Sequence, residues 1–177
     1  MAEEVIAIEG GHKLNGTVTI SGAKNATVAL IPSIVLSDEP VEIYNVPEIS
    51  DVDALTTLLE ELNCVVERDK SVGEIGVDPR NMKNIPLVSS AVDKLRASYY
   101  FMGALLGKYK EVTIRMPGGC YLGPRPIDLH LKGFEALGAK ISYDEEAGTY
   151  HLKADELIGT EIYLDFASVG ATINIML

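Results

Sequence analysis

Asp53-Ala-Leu-Thr-Thr-Leu-Leu-Glu-Glu-Leu62 and Asp128-Leu-His-Leu-Lys-Gly-Phe-Glu-Ala-Leu137 decide the fold, because they read as one element written twice. In the first copy apolar residues at 52, 55, 58, 59 and 62 recur at helical spacing, and Ser50 or Asp51 stands where an N-cap belongs. A strand pair, Cys64–Glu67 and Glu74–Val77, follows across a charged turn. An offset of 75 carries Asp53 to Asp128, Glu60 to Glu135, Leu62 to Leu137 and Val66 to Ile141. Upstream the offset is 71: Ala26 goes to Ala97, Val41 to Val112 and Ile43 to Ile114. The four extra residues of the second copy fall between Ile114 and Asp128, in Arg115-Met-Pro-Gly-Gly-Cys-Tyr-Leu-Gly-Pro-Arg125. The alternative is two generic α/β units that align by chance, since the shared positions are mostly apolar.

Working outward, Val5–Glu9 and Thr17–Ser21 read as strands, Lys24–Leu36 as a helix and Val41–Tyr44 as a strand. A third copy begins at Gly170-Ala171, which an offset of 148 relates to Gly22-Ala23. Nothing closes the helix that ends Thr-Ile-Asn-Ile-Met-Leu177, so Leu177 is expected not to be a natural end. The alternative is a short terminal helix docked on the core. The expected class is α/β (α+β): βαβαββ units with mixed sheets and helices packed on one face.

The chain of 177 residues is 47% hydrophobic and 23% charged, the composition of a globular protein able to bury a core without disulfides. Its two cysteines, Cys64 and Cys120, form no CxxC pair, and no secretory signal is evident. The longest apolar runs are shorter than a membrane span. Twenty-six acidic against 15 basic residues give a net charge of −11, which argues against a nucleic-acid or anionic-membrane partner. The expected compartment is the cytoplasm. An anionic ligand needs a local basic pocket.

HExxH, GxSxG, Walker and GxGxxG patterns are all missing, so no zinc, hydrolase, P-loop or dinucleotide site is expected. Four stations remain. Ser21-Gly-Ala-Lys-Asn-Ala26 is a strand-to-helix turn, where free N–H groups and the helix dipole suit an anion. Lys24 there opposes the dipole, which suggests that it binds phosphate or carboxylate; a solvated lysine on a helix shoulder is the alternative. Lys94-Leu-Arg-Ala-Ser98 occupies the equivalent turn of the second unit, with Arg96 opposite Asn25. Its guanidinium suits bidentate anion recognition, or is an ordinary surface charge. Pro117-Gly-Gly-Cys-Tyr-Leu-Gly-Pro-Arg-Pro126 presents Cys120 on a loop five residues from Arg125, where a cation favours the thiolate. A tolerated loop cysteine is the alternative there, and Cys64 reads as core. Ser168-Val-Gly-Ala-Thr172 repeats the first two turns and offers further N–H groups.

These stations, with Gly123-Pro-Arg-Pro-Ile-Asp-Leu-His130, resemble the successive motifs of the UDP-N-acetylglucosamine 1-carboxyvinyltransferases, enolpyruvyl transferases of the EPSP synthase superfamily. The resemblance covers essentially the whole chain. The Gly-Gly-Cys loop separates this family from its shikimate-phosphate sister, which lacks the cysteine. The resemblance implies an inside-out α/β barrel with sheets outside and helices inside, in a chain more than twice as long. Residues 1–21 would join the other domain, and 22–177 would form the transferase domain as units 22–85 and 86–160 and a truncated unit from 161.

The implied reaction moves the enolpyruvyl group of phosphoenolpyruvate to the 3′-hydroxyl of UDP-N-acetylglucosamine and releases phosphate, the first committed step of peptidoglycan synthesis. No metal or redox cofactor is implied. Cys120, Lys24 and Arg125 would be catalytic, with Cys120 the general acid and the site of a covalent adduct. Lys24 and Asn25 would touch phosphoenolpyruvate and the sugar, and Arg96 and Arg125 the phosphate and carboxylate groups. Arg125, Pro126, Ile127, Asp128 and Leu129 would line the uridine side, and Ser168, Val169 and Gly170 would take the diphosphate. The implied partners are the two substrates and the second domain, and the family's cysteine-alkylating inhibitor is fosfomycin. The sequence departs from the family at Phe166-Ala167, where a Lys is common nearby, at Ile173, where an acid is common, and at Tyr100, where Trp is frequent. The competing reading is a catalytically silent nucleotide-sugar-binding homologue.

Overall fold

A computed structural model of the chain describes residues 5–116 and 127–177. Its first half runs α1 (Lys24–Ser33), β1 (Val41–Ile43), α2 (Ser50–Glu61), β2 (Val65–Asp69) and β3 (Glu74–Asp78). The second half runs α3 (Ser90–Lys94), a 3-10 stretch (Arg96–Tyr99) continuous with α4 (Tyr100–Tyr109), then β4 (Glu111–Arg115), α5 (Asp128–Ala136), β5 (Lys140–Asp144) and β6 (Thr149–Lys153). Helix α6 (Val169–Met176) follows.

The strands form two three-stranded antiparallel sheets, ordered β1-β3-β2 and β4-β6-β5. In each, the last strand in sequence lies in the middle and pairs with both others. Val41 faces Val77 in the first sheet, and Val112 faces Leu152 in the second. The alternation of these strands buries one side of each sheet, with Ile75 and Val77, or Val112 and Ile114, turned to the core.

Helix α4 is the hub. Tyr100 to Leu106 are buried all round, the pattern of a helix surrounded by others. It packs against α1 and α6, and α6 also packs against α5. Gly103 and Gly107 make the close approach of α6 possible: a Cβ on Gly103 would lie 2.1 Å from the Asn174 carbonyl oxygen, and one on Gly107 2.6 Å from that of Leu177. Helix α2 buries Val52, Leu55, Leu58 and Leu59 as its periodicity predicts. Cys64 is buried, and burial pushes its thiol up to about 11.

Several expectations are corrected. Val5–Glu9 and Thr17–Ser21 form no strands; Val5, Ile6, Ile8, Val18 and Ile20 are exposed, because no described strand pairs with them. The sheets are antiparallel rather than mixed, and among the described residues parallel pairing is confined to an isolated bridge between Leu87 and Ile114. The α-helix begun at Lys24 ends at Ser33, and its last turn tightens to 3-10 geometry through Leu36. Ile49 occupies the N-cap of α2, so Ser50 and Asp51 lie inside the helix and neither caps it.

Candidate active site

Three helical N-termini open onto one cleft of roughly 480 Å³. Lys24 and Asn25 come from the first turn of α1, Leu95 to Ala97 from the start of the 3-10 stretch, and Val169 and Gly170 from the first turn of α6. The first turns of these segments carry no acidic residue. The first turns of α2, α3 and α5 do, with Asp51 and Asp53, Asp93 and Asp128 respectively. Acidic first turns complement the positive end of a helix dipole, so the exceptions leave that end for something else. Ala23 and Leu95 offer no side-chain cap, and Ser168 caps α6 by accepting from the Ala171 N–H at 3.2 Å. The first N–H groups of a helix have no intrahelical partner, and three such starts meet at the cleft.

Side chains add to this field. Lys24, Lys94 and Arg96 line the cleft against a single carboxylate, Asp51, in a chain of net charge −11. Lys24 forms an ion pair with Asp51 Oδ2. That oxygen is buried, with the Lys24 ammonium as its counter-charge. The Lys24 side chain is still half exposed, so the ammonium is held at the mouth of the cleft. The Arg96 guanidinium lies 5.8 Å from the centre of the Tyr99 ring, a cation–π distance. Burial pushes Tyr100 up to about 12, keeping its hydroxyl protonated at neutral pH.

Behind the cleft wall, His130 of α5 stacks edge-on to Tyr99 at 4.6 Å. Burial, with a smaller contribution from the Arg96 charge, lowers its imidazole to about 4. Gly170 leaves room for this pair: a Cβ there would sit 2.7 Å from the Tyr99 hydroxyl and 3.4 Å from the His130 ring.

Of the residues singled out from sequence, Lys24, Asn25, Arg96, Val169 and Gly170 line this one cleft, with Ser168 capping the helix beside them. Ile127, Asp128 and Leu129 do not line this cleft: Ile127 is buried at the α5 N-cap, Asp128 is exposed and Leu129 half-buried. Cys120, Arg125 and Pro126 lie outside the described residues. Lys94, Asp51 and Tyr99 were not singled out for the cleft from sequence. Lys94 opens the second station without a role of its own there, and the sequence reading makes Asp51 a cap. Among the described residues no group of His, Cys, Asp and Glu is arranged to hold a metal, and no helix is long and apolar enough to cross a membrane.

Comparison with known proteins gives concordant results. The profile of the EPSP synthase (3-phosphoshikimate 1-carboxyvinyltransferase) family matches residues 8–177. UDP-N-acetylglucosamine 1-carboxyvinyltransferase 2 of Oceanobacillus iheyensis is 58% identical over 172 residues, covering 97% of this chain and 39% of that protein. The enzyme of the same name from Listeria monocytogenes is 55% identical over 177 residues, covering 100% of this chain and 41% of its own length. The chain thus spans about two fifths of these relatives. Among solved structures, the enolpyruvyl transferase NikO from Streptomyces tendae superimposes with a TM-score of 0.71 at 21% identity, over 84% of this chain and 32% of its own. EPSP synthase from Acinetobacter baumannii does so at 0.69 and 19%, over 90% and 37%. At these identities the structural likeness speaks for the fold.

Proposed function

Since the chain belongs to the EPSP synthase family of carboxyvinyltransferases, we propose that it contributes one face of the active site of an enzyme that transfers enolpyruvate to UDP-N-acetylglucosamine. The observation that carries this reading is the cleft where acid-free helical N-termini meet Lys24, Lys94 and Arg96. Both substrates of such an enzyme are anions, one a phosphate ester with a carboxylate and the other a nucleoside diphosphate sugar. The relatives at 55–58% identity carry that enzyme's name, which supports this acceptor over a shikimate phosphate. The Gly-Gly-Cys loop at 118–120 supports it as well.

In the proposed chemistry the 3′-oxygen of the sugar bonds to C2 of phosphoenolpyruvate while Cys120 protonates C3, giving a tetrahedral phospholactoyl intermediate. A base on the other domain takes the hydroxyl proton. Loss of a C3 proton and cleavage of the C2–O bond then release phosphate. Lys24 leaves its counter-ion Asp51 for the substrate's anionic groups. Arg96 and Arg125 bind phosphate and carboxylate; Ser168, Val169 and Gly170 present N–H groups to the diphosphate. Residues 125–129 form the uridine side when the loop folds over the nucleotide.

The same reading makes residues 22–85 and 86–160 two copies of one unit, with α6 opening a third, in an inside-out barrel that works in the cytoplasm. The shared strand order of the two sheets supports this. The exposed apolar side chains of 5–20 would pack into the second domain. The test is phosphate release by the intact protein. Phosphoenolpyruvate with UDP-N-acetylglucosamine should give sustained release, shikimate 3-phosphate none, and residues 1–177 alone none. Tight nucleotide-sugar binding without turnover by the intact protein would instead establish the silent homologue.

A further inference from the structure

Asn174 of α6 is wholly buried, yet its amide is fully engaged by three partners. Its Oδ1 accepts from the Gly103 N–H of α4 at 2.8 Å. Its Nδ2 donates to the Tyr99 carbonyl at 3.0 Å and stands 3.0 Å from His130 Nδ1. Two of the partners are backbone groups with fixed roles: an amide N–H only donates, and a carbonyl only accepts. They settle the orientation of the Asn174 amide, because a flipped amide would set NH₂ against N–H and oxygen against oxygen. The NH₂ group is therefore what faces His130. Nδ1 must accept, and the ring proton of the neutral imidazole must sit on Nε2.

We propose that Asn174 is a positioning residue for the cleft, which locks His130 as the neutral Nε2–H tautomer and ties it to the segment that carries Arg96. The lock works in two directions. An imidazolium would place an Nδ1–H against the Asn174 NH₂, so protonation costs a hydrogen bond and creates a donor–donor clash. The opposite tautomer fails for the same reason. The ring's Nε2 edge lies at Gly170, in the first turn of α6. The same amide grips the Tyr99 carbonyl and the Gly103 N–H, four residues apart where the 3-10 stretch enters α4. One side chain thereby joins α6, α5 and the Arg96–Tyr99 stretch, two of which line the cleft. The titratable groups packed around the ring are Arg96 and Tyr99 of that stretch. Helix α6 contributes no ionisable side chain, and on α5 the ionisable residues flanking His130 in sequence are Asp128 and Lys132.

The tautomer assignment stands on geometry alone; its consequence for substrate binding rests on the proposed function. The test is a long-range ¹H–¹⁵N spectrum of the intact protein labelled in histidine, with His130→Gln supplying the assignment. The expected result is an Nε2–H pattern for His130 that does not change between pH 5.5 and 8. An Nδ1–H pattern, or a midpoint near 6.5, would overturn the proposal; this measurement needs no folded variant. Asn174→Asp replaces the donor with an acceptor, so a folded variant should protonate Nδ1 and titrate at least one pH unit higher than the wild type. An unchanged His130 spectrum in that variant would also overturn it. Adding UDP-N-acetylglucosamine should then shift the His130 resonances of the wild type. If calorimetry detects no binding of that ligand, the functional reading fails while the tautomer assignment stands. Binding that leaves the His130 signals unmoved refutes the link between the lock and the cleft.

Discussion

Gly103→Ala should be among the most destabilising single-methyl additions to this protein. On an ordinary helix the change would help, by about 1 kcal/mol of helix propensity. Here the new Cβ would lie 2.1 Å from the Asn174 carbonyl oxygen and 2.4 Å from its Oδ1. The nearer obstacle is backbone, so no rotamer change relieves it, and α6 must retreat by more than about 1 Å to restore ordinary van der Waals contact. That retreat breaks or stretches the three Asn174 hydrogen bonds, each contributing about 1 kcal/mol net and more if a buried partner is orphaned. Overpacking adds about 1–3 kcal/mol. After the propensity gain, a net loss of about 3–5 kcal/mol is expected. Urea unfolding followed by circular dichroism measures it, with Gly76→Ala as the control. A Cβ on Gly76 meets nothing within 4 Å, so that variant should equal or slightly exceed the wild type. Because α6 carries Val169 and Gly170 into the cleft, nucleotide-sugar affinity should weaken in parallel. A Gly103→Ala protein within 1 kcal/mol of the wild type, with unchanged affinity, would refute the reasoning.

Lys24→Ala should lower kcat/KM of the intact enzyme by a factor corresponding to about 3–4 kcal/mol, the range for losing one preorganised donor, and Lys24→Arg should restore it only in part. Steady-state phosphate release decides this, and near-normal kcat/KM in Lys24→Ala would remove Lys24 from the chemistry. Fosfomycin should alkylate Cys120 and spare Cys64, whose thiol is buried and pushed up to about 11; peptide mass mapping reads the modified site. Labelling should quicken with UDP-N-acetylglucosamine bound, and Cys120→Asp should stay active while escaping the inhibitor. His130 makes stability depend on pH. Its folded value of about 4 lies below the ordinary 6.5, so between those values the unfolded chain binds a proton that the folded chain refuses. Stability should therefore fall as pH drops through this window, by on the order of 3 kcal/mol in all, and His130→Gln should flatten that part of the profile.

What the sequence made legible follows from the range of each interaction. The periodicity of 52–62 specifies a helix and its buried face, because both depend on neighbours within a turn or two. The alternation in Thr17–Ser21 specifies only what a strand would look like; a strand also needs a partner, and among the described residues there is none. Asp51 illustrates a conflict between local and distant terms. Read locally, an acid at a helix start is a cap, but the Lys24 ammonium, 27 residues away in sequence, claims the carboxylate. The Asn174–His130–Gly103 network was illegible for a stronger reason: it exists only where three helices meet, and no spacing rule connects 103, 130 and 174.

The anion cleft itself, however, is written locally. A cation at the N-terminus of α1 costs helix stability, and so does omitting acids from the first turns of α1, α6 and the Arg96 stretch. Elsewhere in the chain, at α2, α3 and α5, the first turns carry the complementary Asp. In a protein with 26 acidic residues, their shared absence from these starts is the part of the pattern that sequence reading passed over. These starts meet at the cleft, and α2, whose first-turn Asp51 also lines it, supplies the counter-charge to Lys24 there. The electrostatic deficit is a property of each helix alone; on the proposed reading, an anionic substrate where the three ends meet offsets all of them at once.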